Sequence, residues 1–204
     1  MTCEIPYTET NGQPRPILPV TFKSGDIQVP AIGVVDSGAD TILMPHLLGL
    51  QLGLKLPDEQ EVLGQSHGIG GALHHLVREC ELHLENSATK KCYEFNTCVH
   101  WVIPNEKQAK TKEKLEEEIK SLRNRAKTVE AHTPMGIKIK AQFEPKLKEL
   151  HRLDTMINPV LLLGRAFFDF FEEITFTHGC PDDLNRRCFT YTVREGAPKQ
   201  IRLL

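Results

Sequence analysis

Residues 105–157 interrupt the rhythm of this chain. On both sides the apolar residues come in short alternating or continuous runs, the spacing of strands. Inside the window Leu115, Ile119, Leu122, Ala126 and Val129 recur every third or fourth position, which places them on one face of an amphipathic helix. His132-Thr133-Pro134-Met135-Gly136 reads as a break. A second helix is expected from Pro145, since proline suits a first helical turn, and it carries Leu147, Leu150 and Leu153. A chain that changes period once and changes back is constrained to a β-rich body with an α-helical insertion. The expected division is 1–104 with 158–204 for the body and 105–157 for the insertion.

The strand signals in the body are specific. Ile17–Phe22 and Ile27–Val35 are apolar runs separated by Lys-Ser-Gly-Asp, a hairpin signature. Val62–Leu63 and Leu73–Val77 flank a glycine-rich turn. Glu79–Glu85 and Cys92–Ile103 alternate, with Tyr93, Phe95, Val99, Trp101 and Ile103 on one face. Ile174–Thr177 and Cys188–Val193 predict a further hairpin. The fold class is therefore mainly β.

Charge excludes some functions. The 204 residues carry 25 Lys+Arg against 27 Asp+Glu, a net charge of −2. Such a balance argues against a nucleic-acid footprint over the whole chain, although the helical window is basic and the body acidic. Apolar runs such as Val160–Leu163 are too short to span a bilayer. The first residues have neither a basic nor an apolar leader segment, so a cytoplasmic location and no membrane partner are expected. Six cysteines in this length read as free thiols; Cys180 and Cys188 flank a turn, but a disulfide there is not expected.

Chemistry concentrates in Val34-Val35-Asp36-Ser37-Gly38-Ala39-Asp40-Thr41. An apolar strand delivers Asp36 to a half-buried place, where a carboxylate is costly unless it is paired or used. Ser37 can hydrogen-bond locally and Gly38 permits a tight turn. Alone, the same residues describe an aspartate capping its own turn. Two further segments add weight. Gly68-Ile69-Gly70-Gly71 forms a hairpin tip with one apolar side chain. Asn158–Phe168 is an apolar strand, then Gly164, then Arg165 opening a short helix.

In this order, after an early Arg15-Pro16, the three segments resemble the retropepsin-like (retroviral-type) aspartic proteases. The resemblance covers most of 15–104 and 158–178. It implies a closed, barrel-like acid-protease single lobe and a homodimer, because the chain has one Asp-Ser-Gly and the chemistry needs two carboxyls. It implies that Asp36 and the partner's Asp36 activate water for peptide hydrolysis. Ser37 would link the two loops across the axis. Gly38, Ala39 and Asp40 would line the substrate groove, and Gly68, Ile69 and Gly70 would cover it. Arg165 would pair with Asp40 to support the catalytic loop, and Arg15 would contribute to the dimer contact. The implied partners are a second copy and a peptide or protein substrate, with no cofactor and no metal. The rival reading is a non-catalytic dimeric peptide-binding module. The insertion, in turn, reads either as a lid or partner-binding element or as a solvated helical hairpin.

Other residues carry less. Cys80, His83, Cys92, Cys98 and His100 are metal-ligand types, but no Cys-x-x-Cys knuckle groups them, and alternation separates Cys80 from His83. His74-His75 reads as a surface pair. No Gly-x-Ser-x-Gly elbow supports a serine nucleophile.

Overall fold

The computed structural model describes residues 2–10, 12–58, 60–68, 71–85, 92–130, 132–180 and 183–194. In chain order its elements are β1 (Thr2–Pro6), β2 (Thr8–Thr10), β3 (Gln13–Arg15), β4 (Ile17–Ser24), β5 (Ile27–Val35), β6 (Ile42–Met44), α1 (His46–Gln51), β7 (Gly64–Gly68), β8 (Gly71–Glu85) and β9 (Cys92–Val102). They continue with α2 (Glu106–Ala126), α3 (Pro134–Ile157), β10 (Leu162–Leu163), α4 (Arg165–Phe168), β11 (Phe171–Cys180) and β12 (Asp183–Val193). The chain is mainly β, at 43% strand against 33% helix. No helix among the described residues is long and apolar enough to cross a membrane.

The chain divides into two units, one of residues 1–64, 75–102 and 160–204, the other of 65–74 and 103–159. The first is built on a closed six-stranded barrel. Strands run in the order β4-β5-β10-β6-β9-β8, and β8 returns to β4 through Thr21↔His83, Phe22↔Leu82 and Lys23↔Glu81. The β4–β5 hairpin turns at Gly25, whose φ of 57° suits glycine. Alternation sends Leu18, Val20 and Phe22 of β4, Leu82 and Leu84 of β8 and Val99 and Trp101 of β9 into the core. Each such side chain contributes about 1.5–3 kcal/mol by leaving water. Trp101 also donates Nε1 to the His46 carbonyl at 3.0 Å and stacks on the His46 ring. Any side chain on Gly49 would put its Cβ 2.1 Å from that nitrogen, so α1 packs on the tryptophan only with glycine there.

A second sheet of this unit has the order β1-β12-β11. An aromatic cluster fills its contact with the barrel: Phe95 lies 4.3 Å from Phe170, and Phe171 lies 4.8 Å from Phe167 and 5.1 Å from Tyr191. Register places Cys188 opposite Thr177 and Cys180 opposite Asp183. Cys188 is free, as are Cys80 and Cys92.

In the second unit α2 and α3 form an antiparallel pair stitched by side chains: Lys112 meets Asp154 at 2.6 Å, and Lys146 pairs with Glu118. Asn105 caps α2 in a reciprocal box, accepting from Gln108 N at 2.8 Å while its own N donates to Gln108 Oε1 at 3.0 Å. Ile119 and Leu122 of α2, and Ile139, Leu153 and Ile157 of α3, are buried. Val129 lies beyond the end of α2. The second helix starts at Pro134, not at Pro145, which sits inside it. Thr133 Oγ1 accepts from Gly136 N at 3.1 Å with Pro134 following. The helical run does break between Ala126 and Thr133, and Thr133-Pro134 opens the second helix. Burial of Ile139, ahead of Pro145, favours that earlier start over the hydrogen bond that Pro145 forfeits.

Candidate functional site

β5 carries the chain to Asp36, and β10 fixes where it stops. Although only two residues long, β10 lies between β5 and β6, with Leu162↔Val34 and Leu163↔Val35 on one side and Leu162↔Leu43 and Leu163↔Ile42 on the other. Val34 N donates to Leu161 O at 2.9 Å and Asp36 N to Leu163 O at 3.1 Å. Val35 N turns the other way, to Pro16 O at 2.9 Å. Asp36 is thus clamped between two segments far apart in sequence.

The loop beyond it is folded on its own aspartate. Asp36 Oδ1 accepts from Gly38 N at 2.9 Å, and its carbonyl accepts from Ala39 N at 3.3 Å. Arg165 N then donates to Ala39 O at 2.7 Å and Ala166 N to Asp40 O at 3.1 Å. This approach leaves no room at Gly164, where a Cβ would lie 2.3 Å from Thr41 O and 2.6 Å from Ala39 O. The guanidinium of Arg165 pairs with the Asp40 carboxylate. Asp36 is half-buried, and no basic side chain among the described residues pairs with it. Ser37 and Gly38 are exposed beside it.

Asp36, Ser37, Gly38, Ala39, Asp40 and Arg165 therefore stand together. Arg15 is exposed at the end of β3, next to Pro16, whose carbonyl accepts from Val35 N beside Asp36. Gly68 ends β7, while Ile69 and Gly70 lie outside the described residues.

The remaining polar candidates separate as strand alternation requires. Cys80 is buried and its thiol is pushed up to about 12, mainly by that burial. His83 faces the other way. Its Nε2 lies 3.3 Å from Glu81, and its ligand atom, with those of Glu81 and Glu94, falls within 4.8 Å of the others. The Lys23 ammonium already neutralises Glu81 at 3.0 Å, so the cluster is a cross-strand charge network.

His75 departs from the surface reading. It is buried and stacks on His100 with ring centroids 4.2 Å apart. The space comes from Gly64, where a Cβ would sit 2.6 Å from His75 Nε2. Burial, then the neighbouring His75, holds His100 down to about 4. Neither the histidine stack nor the Gly164 approach has a local sequence signal, since each depends on residues brought together from separate strands or loops.

No family model matches the chain, and no curated protein and no solved structure shows significant similarity to it.

Proposed function

We propose that the chain is a retropepsin-like aspartic endopeptidase that works as a homodimer, with Asp36 of each subunit at a shared active site. The observation that carries this reading is the unequal treatment of two acids on one loop. Asp40 is neutralised by Arg165, whereas Asp36 is held in place by backbone hydrogen bonds and has no basic partner among the described residues. A half-buried carboxylate left unpaired on a rigid loop is available for proton transfer.

One Asp36 is not sufficient. Two carboxyls in contact do not both ionise and hold one proton between them. In the proposed reaction the ionised carboxylate takes a proton from water as the water oxygen attacks the scissile carbonyl carbon. The protonated carboxyl of the dyad gives its proton to the carbonyl oxygen. Collapse of the tetrahedral diol then breaks the C–N bond. A proton passes to the leaving amine, and one proton remains on the dyad. The role proposed for the exposed backbone of Gly38, with Ala39 and Asp40, is to hold the peptide as an extended strand.

Asp36→Asn tests the proposal. Asparagine Oδ1 can keep the Gly38 hydrogen bond, so the variant should fold, while cleavage of a random peptide library should fall by at least about 10²-fold. Wild-type cleavage rates in the variant, or full activity in a strictly monomeric protein, would sink the mechanism. A folded wild-type dimer that binds peptides and never cuts them would favour the binding-module reading.

A further inference from the structure

The distal half of the helical pair is both concave and strongly basic. Between residues 120 and 143 lie Lys120, Arg123, Arg125, Lys127, Lys138 and Lys140, against the single acid Glu130. The rest of the chain carries 19 Lys+Arg and 26 Asp+Glu, so this end of the hairpin is opposite in sign to the sum of the remainder. A groove of about 460 Å³ opens there between α2 and α3. Ala126, Val129, Ile139 and Phe143 supply apolar walls, and Arg123, Lys127 and Lys140 form its rim. The Arg123 guanidinium lies 5.9 Å from the centre of the Phe143 ring, which turns one cation toward the apolar lining.

We propose that this groove is a docking site for a short acidic peptide segment of another protein, with an aliphatic or aromatic side chain seated between the helices and flanking carboxylates on the rim. The walls favour an apolar side chain, because nothing polar in the floor would repay a buried polar group. The rim favours carboxylates, because Arg123, Lys127 and Lys140 border one opening, and among the described residues only Lys140 is near an acid, 3.8 Å from Glu144. A nucleic acid fits poorly, since the groove offers a pocket and not a stacking platform. Met135 and Ile137 stand exposed at the start of α3, outside the groove lining, so a lipid surface is the alternative occupant that the test must separate. The site does not depend on the chemistry at Asp36.

The test is fluorescence anisotropy with the full chain and a labelled peptide, acetyl-Asp-Glu-Asp-Leu-Phe-Asp-Glu-Asp. Saturable binding is expected, weakening as salt rises. Replacing Leu-Phe by Ser-Ser should weaken it at least tenfold, and so should the double variant Lys127→Glu/Lys140→Glu. Both lysines are exposed, and an unchanged melting temperature would show that the variant stays folded. A separate variant, Val129→Ser, reads the apolar contribution with the charges intact and should also weaken binding. The proposal is overturned if no saturable binding occurs, if the Ser-Ser peptide binds equally well, or if the charge reversals leave the affinity unchanged. It is likewise overturned if phosphatidylserine vesicles, and not the peptide, are what the basic end binds.

Discussion

Arg165 pairs with Asp40 and leaves Asp36, on the same loop, to the backbone amide of Gly38. The pair is exposed, with 66% and 73% of the two side chains accessible in the single chain. Exposed pairs are worth about 0–1 kcal/mol. The hydrogen bonds that pin the loop, Arg165 N to Ala39 O and Ala166 N to Asp40 O, belong to the main chain and survive a side-chain change. Arg165→Gln should therefore cost less than about 1 kcal/mol in urea unfolding at low protein concentration. A loss of several kcal/mol would mean that the pair is shielded from water in solution.

Gly164→Ala should be far worse than its size suggests. The new methyl would meet two backbone carbonyls, of Thr41 and Ala39, neither of which can rotate away. Overpacking ordinarily costs about 1–3 kcal/mol, and the top of that range or more is expected here. The cleavage activity proposed for Asp36 should fall with it, because the displaced loop holds that residue. Thermal melts of the two proteins side by side would decide the point.

His100 gives the barrel an acid-sensitive element. Its folded value is lowered to about 4 from 6.5 by burial and by His75. Between those values the unfolded chain binds a proton that the folded chain refuses, so stability is full above about pH 6.5 and declines as pH falls toward 4. The melting temperature should drop through that window. His100→Asn should flatten the drop, and an equally steep curve in the variant would assign the acid sensitivity elsewhere.

Asn105 holds the entry to α2 by two reciprocal hydrogen bonds. Asn105→Ala should destabilise the helix by about 1 kcal/mol. Faster amide exchange in the first turns of α2, with protection in the barrel strands unchanged, is the expected signature.

What was readable in the sequence was what short-range pattern encodes. The Ile17–Val35 hairpin, the helical window, the turn after Asp36 and the Gly164-Arg165 helix start all appear where local period and turn residues put them. The start of α3 is not legible locally, because Thr133-Pro134 serves equally as a stop and as a capped beginning, and burial of Ile139 decides between them. β10 shrank to two residues because only Leu162 and Leu163 meet strands on both sides. β1 has no strong strand pattern and exists through pairing with β12, at the other end of the chain. The burial of His75 has no local signal, because the glycine that makes room for it, Gly64, lies on another strand.

The register of β6 bears on the engineering of this protein. β9 runs parallel to β6 with Trp101 beside Met44, and β10 runs antiparallel to it with Leu162 beside Leu43. The chain therefore leaves β9 and enters β10 at the same rim, two strand spacings or about 10 Å apart. A few residues would bridge that gap. The helical pair is in this sense a cassette: a short linker should close the gap between β9 and β10, and only Gln65–His74, which cluster with the helices, should lose neighbours on its removal.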